Sequence, residues 1–268
     1  SDHPADPGRQ PPRAPRAGRD RVRVVQVVAT GTNGGAQEHV YNLVSRIDHD
    51  GFDVTVAFLS PGSAVRKLER LGVPVCVIDT DDDEAAIEEL AGHLLDARAE
   101  VVHNHMYRAE VVGTRAAIAV AATGRPRPRI VSTVHSSRVR SAEDQALMRA
   151  LTPQMDHLIA VSRAIIAKIA EEGRDGAPVT LIHNGVDLER YSQQEACCTL
   201  PEEYGMPPGS PIVGVVGRLE PEKGHRTLIE AWPRVLAGVP AAYLLVVGEG
   251  SRMDALRQQA REIGRAHV

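Results

Sequence analysis

"VRVVQVVATGTNGGAQEHV", residues 22–40, contains the transition that decides the fold. Its first half is an apolar, β-branched run of strand length. Glycines follow at 31, 34 and 35, and in "AQEHVYNLVSRI" the apolar spacing lengthens to the three-to-four of a helix. A strand passing to a helix through a glycine turn is the opening of a β-α-β unit. Gly34 and Gly35 stand at the N-terminus of that helix, where backbone N–H groups can meet an anion; a plain tight turn accounts for them equally. The dinucleotide fingerprint G-x-G-x-x-G is not met. The next strand ends in Ser60-Pro61, where a ribose-binding carboxylate is expected, and no P-loop lysine follows. A dehydrogenase and a P-loop ATPase both lose ground.

The same alternation continues outward. Strand-like runs are "DVTVAFLS", "VPVCVID", "EVVHNH", "RIVSTVH", "DHLIAVS" and "VTLIHNG". Helix-like segments between them are "SAVRKLERLG", "DEAAIEELAGHLLDARA", "RAEVVGTRAAIAVAATG" and "RAIIAKIAEEG". Strands so uniformly apolar suit a parallel sheet covered on both faces. Right-handed crossovers then align their C-terminal ends along one edge, where open α/β sheets bind ligands. Past Tyr191 the pattern breaks, and residues 192–210 read as a linker. A second cycle opens with "PIVGVVGRL", "GHRTLIEAWPRVLAG", "AAYLLVVGEG" and "SRMDALRQQAREI", with Pro233 expected to kink its first helix or fix its first turns. The fold class is α/β: a Rossmann-like N-terminal domain over 21–191 and the first part of a second over 211–268. The last six residues, "IGRAHV" (263–268), match the translation of a widely used sequencing adapter, so the natural reading frame is expected to continue.

Residues 1–20 are rich in Pro, Arg and Gly and read as a disordered tail. No signal-like or membrane-spanning apolar segment occurs. A net charge of −4 gives no global field for nucleic acid, and 3% aromatics supply no stacking platform. The three cysteines, Cys76 and the pair Cys197-Cys198, form no C-x-x-C, which fits a reducing cytoplasm.

Several residues bear chemistry. His135 ends the fifth strand in "STVHSS", with Ser136 and Ser137 beside it on the ligand edge; a structural histidine is the simpler alternative. His103 and His105 share one strand face, but no third ligand at metal spacing accompanies them. The acidic "DTDDDE" at 79–84 is a solvated helix start. In "VVGRLEPEKGH", Arg218 and Lys223 follow the strand that stops at Gly217, with Pro221 stiffening the loop. A helix beginning near Gly224 adds its N-terminal field. Such cations can stabilise the charge on a leaving diphosphate without reorganising; two solvated surface cations are the alternative.

Taken together, "GTNGGAQEHVYNLV", "STVHSS", "LIHNGVD" and "GRLEPEKGHRTLIEAW…LLVVGEG" resemble the family 4 retaining nucleotide-sugar glycosyltransferases, which have the two-domain GT-B architecture. The resemblance implies that Arg218 and Lys223 hold the donor diphosphate, and that Gly34 and Gly35 form the loop approaching donor and acceptor. It implies a catalytic position for His135 against the transferred sugar. It also places His105, Ser136, Asn184, Gly185, Gly217 and Glu249 at the cleft. No cofactor or metal is expected, the cations doing the metal's work on the leaving group. The family's pair of glutamates in the later second domain has no counterpart before Val268, so this chain alone is expected to transfer little. Implied partners are a nucleotide-sugar donor and a glycan, small-molecule or lipid-linked acceptor. Basic residues at Arg66, Lys67, Arg70 and from Arg125 to Arg140 leave contact with the inner face of a membrane open, solvated faces being the simpler reading. The alternatives are a sugar-nucleotide epimerase of the same architecture and a non-catalytic sugar-nucleotide binder.

Overall fold

The computed structural model describes residues 21–136, 140–189, 191, 199–263 and 266–267. The expected tail over 1–20, Ser137, most of the linker's first half and the Cys197-Cys198 pair lie outside them. The chain divides into two compact units between Tyr191 and Ser192.

The first unit is a seven-stranded sheet in the order β3-β2-β1-β4-β5-β6-β7, every neighbouring pair parallel. Its strands are β1 (Val22–Val28), β2 (Phe52–Phe58), β3 (Val75–Val77), β4 (Val101–His105), β5 (Arg129–Val134), β6 (His157–Ala160) and β7 (Val179–Leu181). The order reverses between β1 and β4, the switch point of a Rossmann-like sheet. Helices α1 (Gly35–Arg46) and α2 (Ser63–Glu69) cover one face through Val40, Val44, Val65 and Leu68. The other face carries α3 (Asp83–Asp96), α4 (Tyr107–Ala122), α5 (Ala142–Leu151) and α6 (Arg163–Glu171), with Leu90, Val112, Met148 and Ile169 in its core.

Two local devices fix this frame. Asp82 caps α3, its carboxylate accepting from the N–H groups of Glu84 and Ala85. The acidic start is more than a solvated face, because Arg108 forks onto Asp83 (2.8 Å) and the carbonyls of Leu59 and Thr80. On α4, fully buried Glu110 is paired with buried Arg174, which also donates to Thr152 Oγ1 at 3.2 Å. Arg140 bonds Glu172 at 2.9 Å and lies over the Tyr107 ring, so the chain is fastened soon after β5 ends.

The second unit is a three-stranded parallel sheet, β10-β9-β8, from β8 (Ile212–Val216), β9 (Tyr243–Val247) and β10 (Ala266–His267). Short α7 (Leu200–Glu203) precedes it, a helix where the sequence offers only a linker. Helices α8 (His225–Gly238) and α9 (Met253–Ile263) pack with Leu219, Ile229, Trp232, Leu244 and Leu256. Pro233 lies inside α8, which runs on past it. Among the described residues no helix is long and apolar enough to cross a membrane.

Candidate functional site

Parallel strands put every strand's C-terminal end on one edge, and the chemistry-bearing residues of the first unit gather there. The β1–α1 loop is set by backbone contact with the β2–α2 loop. Gly31 N–H donates to the Ser60 carbonyl (3.0 Å), and Ala64 N–H donates to the Gly31 carbonyl (2.8 Å). A Cβ on Gly31 would lie 2.7 Å from Gly62 N, and one on Gly62 would lie 2.2 Å from the Gly31 carbonyl. Glycine is therefore required at 31 and 62. Gly34 is the N-cap of α1 and Gly35 its first residue, with nothing within 4 Å of a Cβ on Gly35. Beside them lies a cavity of about 270 Å³ bordered by Asn33, Gln37, Tyr41 and the Glu38–Lys67 ion pair.

Across the switch point, β4 presents His103 and His105 to the α1 side, and both are buried. In the sheet register Gln26 stands opposite His103, and Val28 opposite His105. His105 Nε2 meets Gln26 Oε1 at 2.7 Å, and its Nδ1 meets His135 Nε2 at 3.0 Å. His103 bonds Thr133 Oγ1 at 2.8 Å, its ring 4.2 Å from that of His105. His39, on the first turns of α1, completes the group at 5.8 Å from His105 and 5.1 Å from His135, centroid to centroid. Burial, then the charges of His39 and His135, lowers His103 to about 3; burial, then His39, lowers His135 to about 4. Burial and the neighbouring histidines lower His105 as well, and burial alone lowers His39. The cluster is neutral at neutral pH.

His105 passes directly into Met106, the N-cap of α4, held at φ 72° and ψ 162°. That region is open essentially to glycine alone, so strain sits beside the histidines. Ser136 is exposed just beyond His135. Asn184 and Gly185 are exposed past β7, in a segment tied down by an Arg46–Asp187 ion pair (2.6 Å).

In the second unit two loops are zipped together at the strand ends. Gly217 N–H donates to the Val247 carbonyl (3.0 Å) and Leu219 N–H to the Glu249 carbonyl (2.8 Å). A Cβ on Gly248 would lie 1.8 Å from the Gly217 oxygen, which excludes any side chain there. Glu220 fastens the same loops, accepting from Ser251 N (3.0 Å) and Oγ (2.7 Å), bonds that hold its carboxyl below the usual range. Between them runs a 3-10 turn, Pro221–Lys223, ended by left-handed Gly224 (φ 71°), which begins α8. Lys223 is exposed, and so is the side chain of Glu249. Arg218 pairs with Glu222 at 2.9 Å, both more than half exposed, an arrangement worth under about 1 kcal/mol and easily exchanged for another anion. Beneath the loop lies His225, 3% exposed, neither ring nitrogen having a partner among the described residues.

The glycine pair, His105, His135, Arg218 and Lys223 stand out in the sequence, whereas His39, Gln26, Glu220 and His225 emerge only in the structure. The signals were present: a glutamine inside an apolar strand, and a histidine one turn into the helix after the glycines.

The family model described as Glycosyltransferase Family 4 matches residues 33–190, and that described as Glycosyl transferases group 1 matches residues 199–268. The chain belongs to Glycosyltransferase Family 4. It is 25% identical to the D-inositol 3-phosphate glycosyltransferase of Nocardia farcinica over 88% of this chain and 59% of that one. It is 26% identical to the phosphatidyl-myo-inositol mannosyltransferase of Mycolicibacterium smegmatis, over 91% of this chain and 62% of the other. The chain thus spans 59% and 62% of the lengths of these two relatives. Among solved structures it resembles Anabaena Alr3699/HepE in complex with UDP and glucose, with a TM-score of 0.76 at 20% identity, covering 92% of this chain and 68% of that one. The fold is of the GT-B type.

Proposed function

We propose that the protein is a retaining glycosyltransferase, moving a sugar from a nucleotide-diphosphate donor to an acceptor hydroxyl. Family membership supports the reaction class. The observation that carries the donor assignment is the zipped loop pair of the second unit. It carries Arg218 and Lys223 at the C-terminal end of β8, beside the N-terminus of α8. In this reading the two cations and the helix N-terminus receive the diphosphate and offset the charge that grows on it as the glycosidic bond breaks. Arg218 exchanges its Glu222 contact for phosphate oxygens, while Lys223 acts as a mobile point charge.

His135 faces the transferred sugar, and Gly34 and Gly35 let donor and acceptor approach the α1 backbone. A neutral His135 serves as hydrogen-bonding partner to a sugar hydroxyl. Donor phosphates need no metal in this scheme. For the acceptor, the relatives named for inositol phosphate and phosphatidylinositol suggest a polyol, free or lipid-linked.

The test is nucleoside-diphosphate release by the protein, with and without acceptor. A transferase releases it in step with acceptor glycosylation; a sugar-nucleotide epimerase interconverts donor with no acceptor present. Arg218→Ala or Lys223→Ala should lower the transfer rate by about 10²–10³. An unchanged rate in both would remove the diphosphate assignment.

A further inference from the structure

We propose that His39, His105 and His135 form a binding site for a late first-row divalent cation, with Zn²⁺ as the best-matched occupant. One ligand nitrogen from each lies within 4.8 Å of the other two. In a tetrahedral site with metal–nitrogen bonds of about 2.0–2.1 Å, imidazole centroids stand about 3.2 Å from the metal and about 5.2 Å from one another. The three centroid separations here are 5.1, 5.3 and 5.8 Å. The rings already form the triangular face that a tri-histidine metal requires. Ligand nitrogens in such a face lie about 3.3 Å apart, and the His105–His135 pair is at 3.0 Å. His39, half-buried on α1, closes the remaining gap by turning its ring.

The surroundings prepare the ligands. With the Gln26 amide oxygen accepting, His105 carries its proton on Nε2 and turns a bare Nδ1 lone pair toward His135. An outer partner that fixes tautomer and ring plane is the usual support of a metal-bound histidine. The His103 ring packs tilted by 43° against His105, with centroids 4.2 Å apart, and is itself held by Thr133, so the His105 ring has little freedom. Without a metal, His135 Nε2–H donates to the His105 Nδ1 lone pair at 3.0 Å; metal binding moves this proton to His135 Nδ1, which has no partner among the described residues. Burial keeps all three rings neutral, and a neutral imidazole is the form that binds metal. Three nitrogens favour Zn²⁺, Co²⁺, Ni²⁺ or Cu²⁺ over Mg²⁺ or Ca²⁺, which select oxygen. A fourth position stays open for water or a ligand oxygen.

Resting on the role given to His135 above, the consequence is inhibitory: a metal holding His135 withdraws it from the donor sugar. Binding is tested independently of transfer. Zn²⁺ is titrated into this chain against a chromophoric chelator, and Co²⁺ substitution is followed by the visible d–d bands of a four-coordinate ion. The expected result is one equivalent bound. His39→Ala or His39→Gln, each with wild-type circular dichroism, should weaken it by about 100-fold or more, since even outer-shell losses cost 10–100-fold. Replacing half-buried His93, on α3 over the other sheet face, by Ala should change nothing. No stoichiometric binding, or equal binding by wild type and a folded His39 variant, overturns the site. Binding with no inhibition of transfer leaves the site standing and removes the role assigned to His135.

Discussion

Arg174 shows how much one buried contact can hold. Its side chain is fully buried, and its guanidinium reaches Glu110 of α4 while donating to Thr152. Truncation would leave the Glu110 carboxylate buried without its main partner, the circumstance in which a broken ion pair costs most. Arg174→Ala should therefore destabilise the first unit by about 3–5 kcal/mol in urea unfolding followed by circular dichroism. The histidine cluster acts through protons instead. His103 and His135 titrate near 3 and 4 in the folded chain because they are buried, but near the ordinary 6.5 when unfolded. Between those values the unfolded chain binds protons that the folded chain refuses. Stability is thus complete above about pH 6.5 and erodes as pH falls toward about 4. Urea midpoints should fall between about pH 7.5 and about pH 5, and a folded His103→Gln variant should show a shallower fall. An unchanged midpoint over that range would mean that the rings already accept protons in the native state.

The elements were legible where burial imposed a period. β1 to β7 follow the apolar runs, and α1, α2, α3, α4 and α6 follow the three-to-four spacing, because each helix presents a stripe to one sheet face. Helix α5 escaped because Met148 is its only buried residue; Ser141, which caps it by accepting from Asp144 N, was the available signal. The histidine triad escaped for a different reason. Its members come from α1, β4 and the end of β5, and only parallel register brings them together. Glycines divide similarly: the 34–35 pair stands out in sequence, whereas the need for Gly31, Gly62 and Gly248 comes from backbones meeting across loops. Gly224 is a separate case, required by its left-handed φ of 71° between the 3-10 turn and α8. Gly224→Ala should cost about 1 kcal/mol in stability of the second unit and, under the donor assignment proposed above, weaken nucleotide-sugar binding by shifting Lys223. Unchanged stability and binding would show that the turn tolerates another conformation.

At the scale of the whole molecule, the two units have separate apolar cores and unequal cover. The first places helices on both faces of seven strands. The second packs one small cluster around Trp232 and leaves Val213, Val216 and Val247 exposed, at 42%, 80% and 44%. Apolar surface left in water contributes nothing to stability, so the second unit should unfold at lower denaturant. The chain carries a built-in reporter of this difference. Its one tryptophan, Trp232, is 1% exposed in the second unit's core, whereas most of the helix and strand signal belongs to the first. Tryptophan fluorescence and far-ultraviolet circular dichroism, recorded on the same urea series, should therefore give non-coincident transitions, with fluorescence changing first. Under the donor assignment proposed above, added nucleoside diphosphate should move the fluorescence transition toward the other, because Arg218 and Lys223 both belong to the second unit. Coincident transitions without ligand would instead mean that the two cores unfold as one cooperative structure, and that the exposed valines cost the second unit none of its stability.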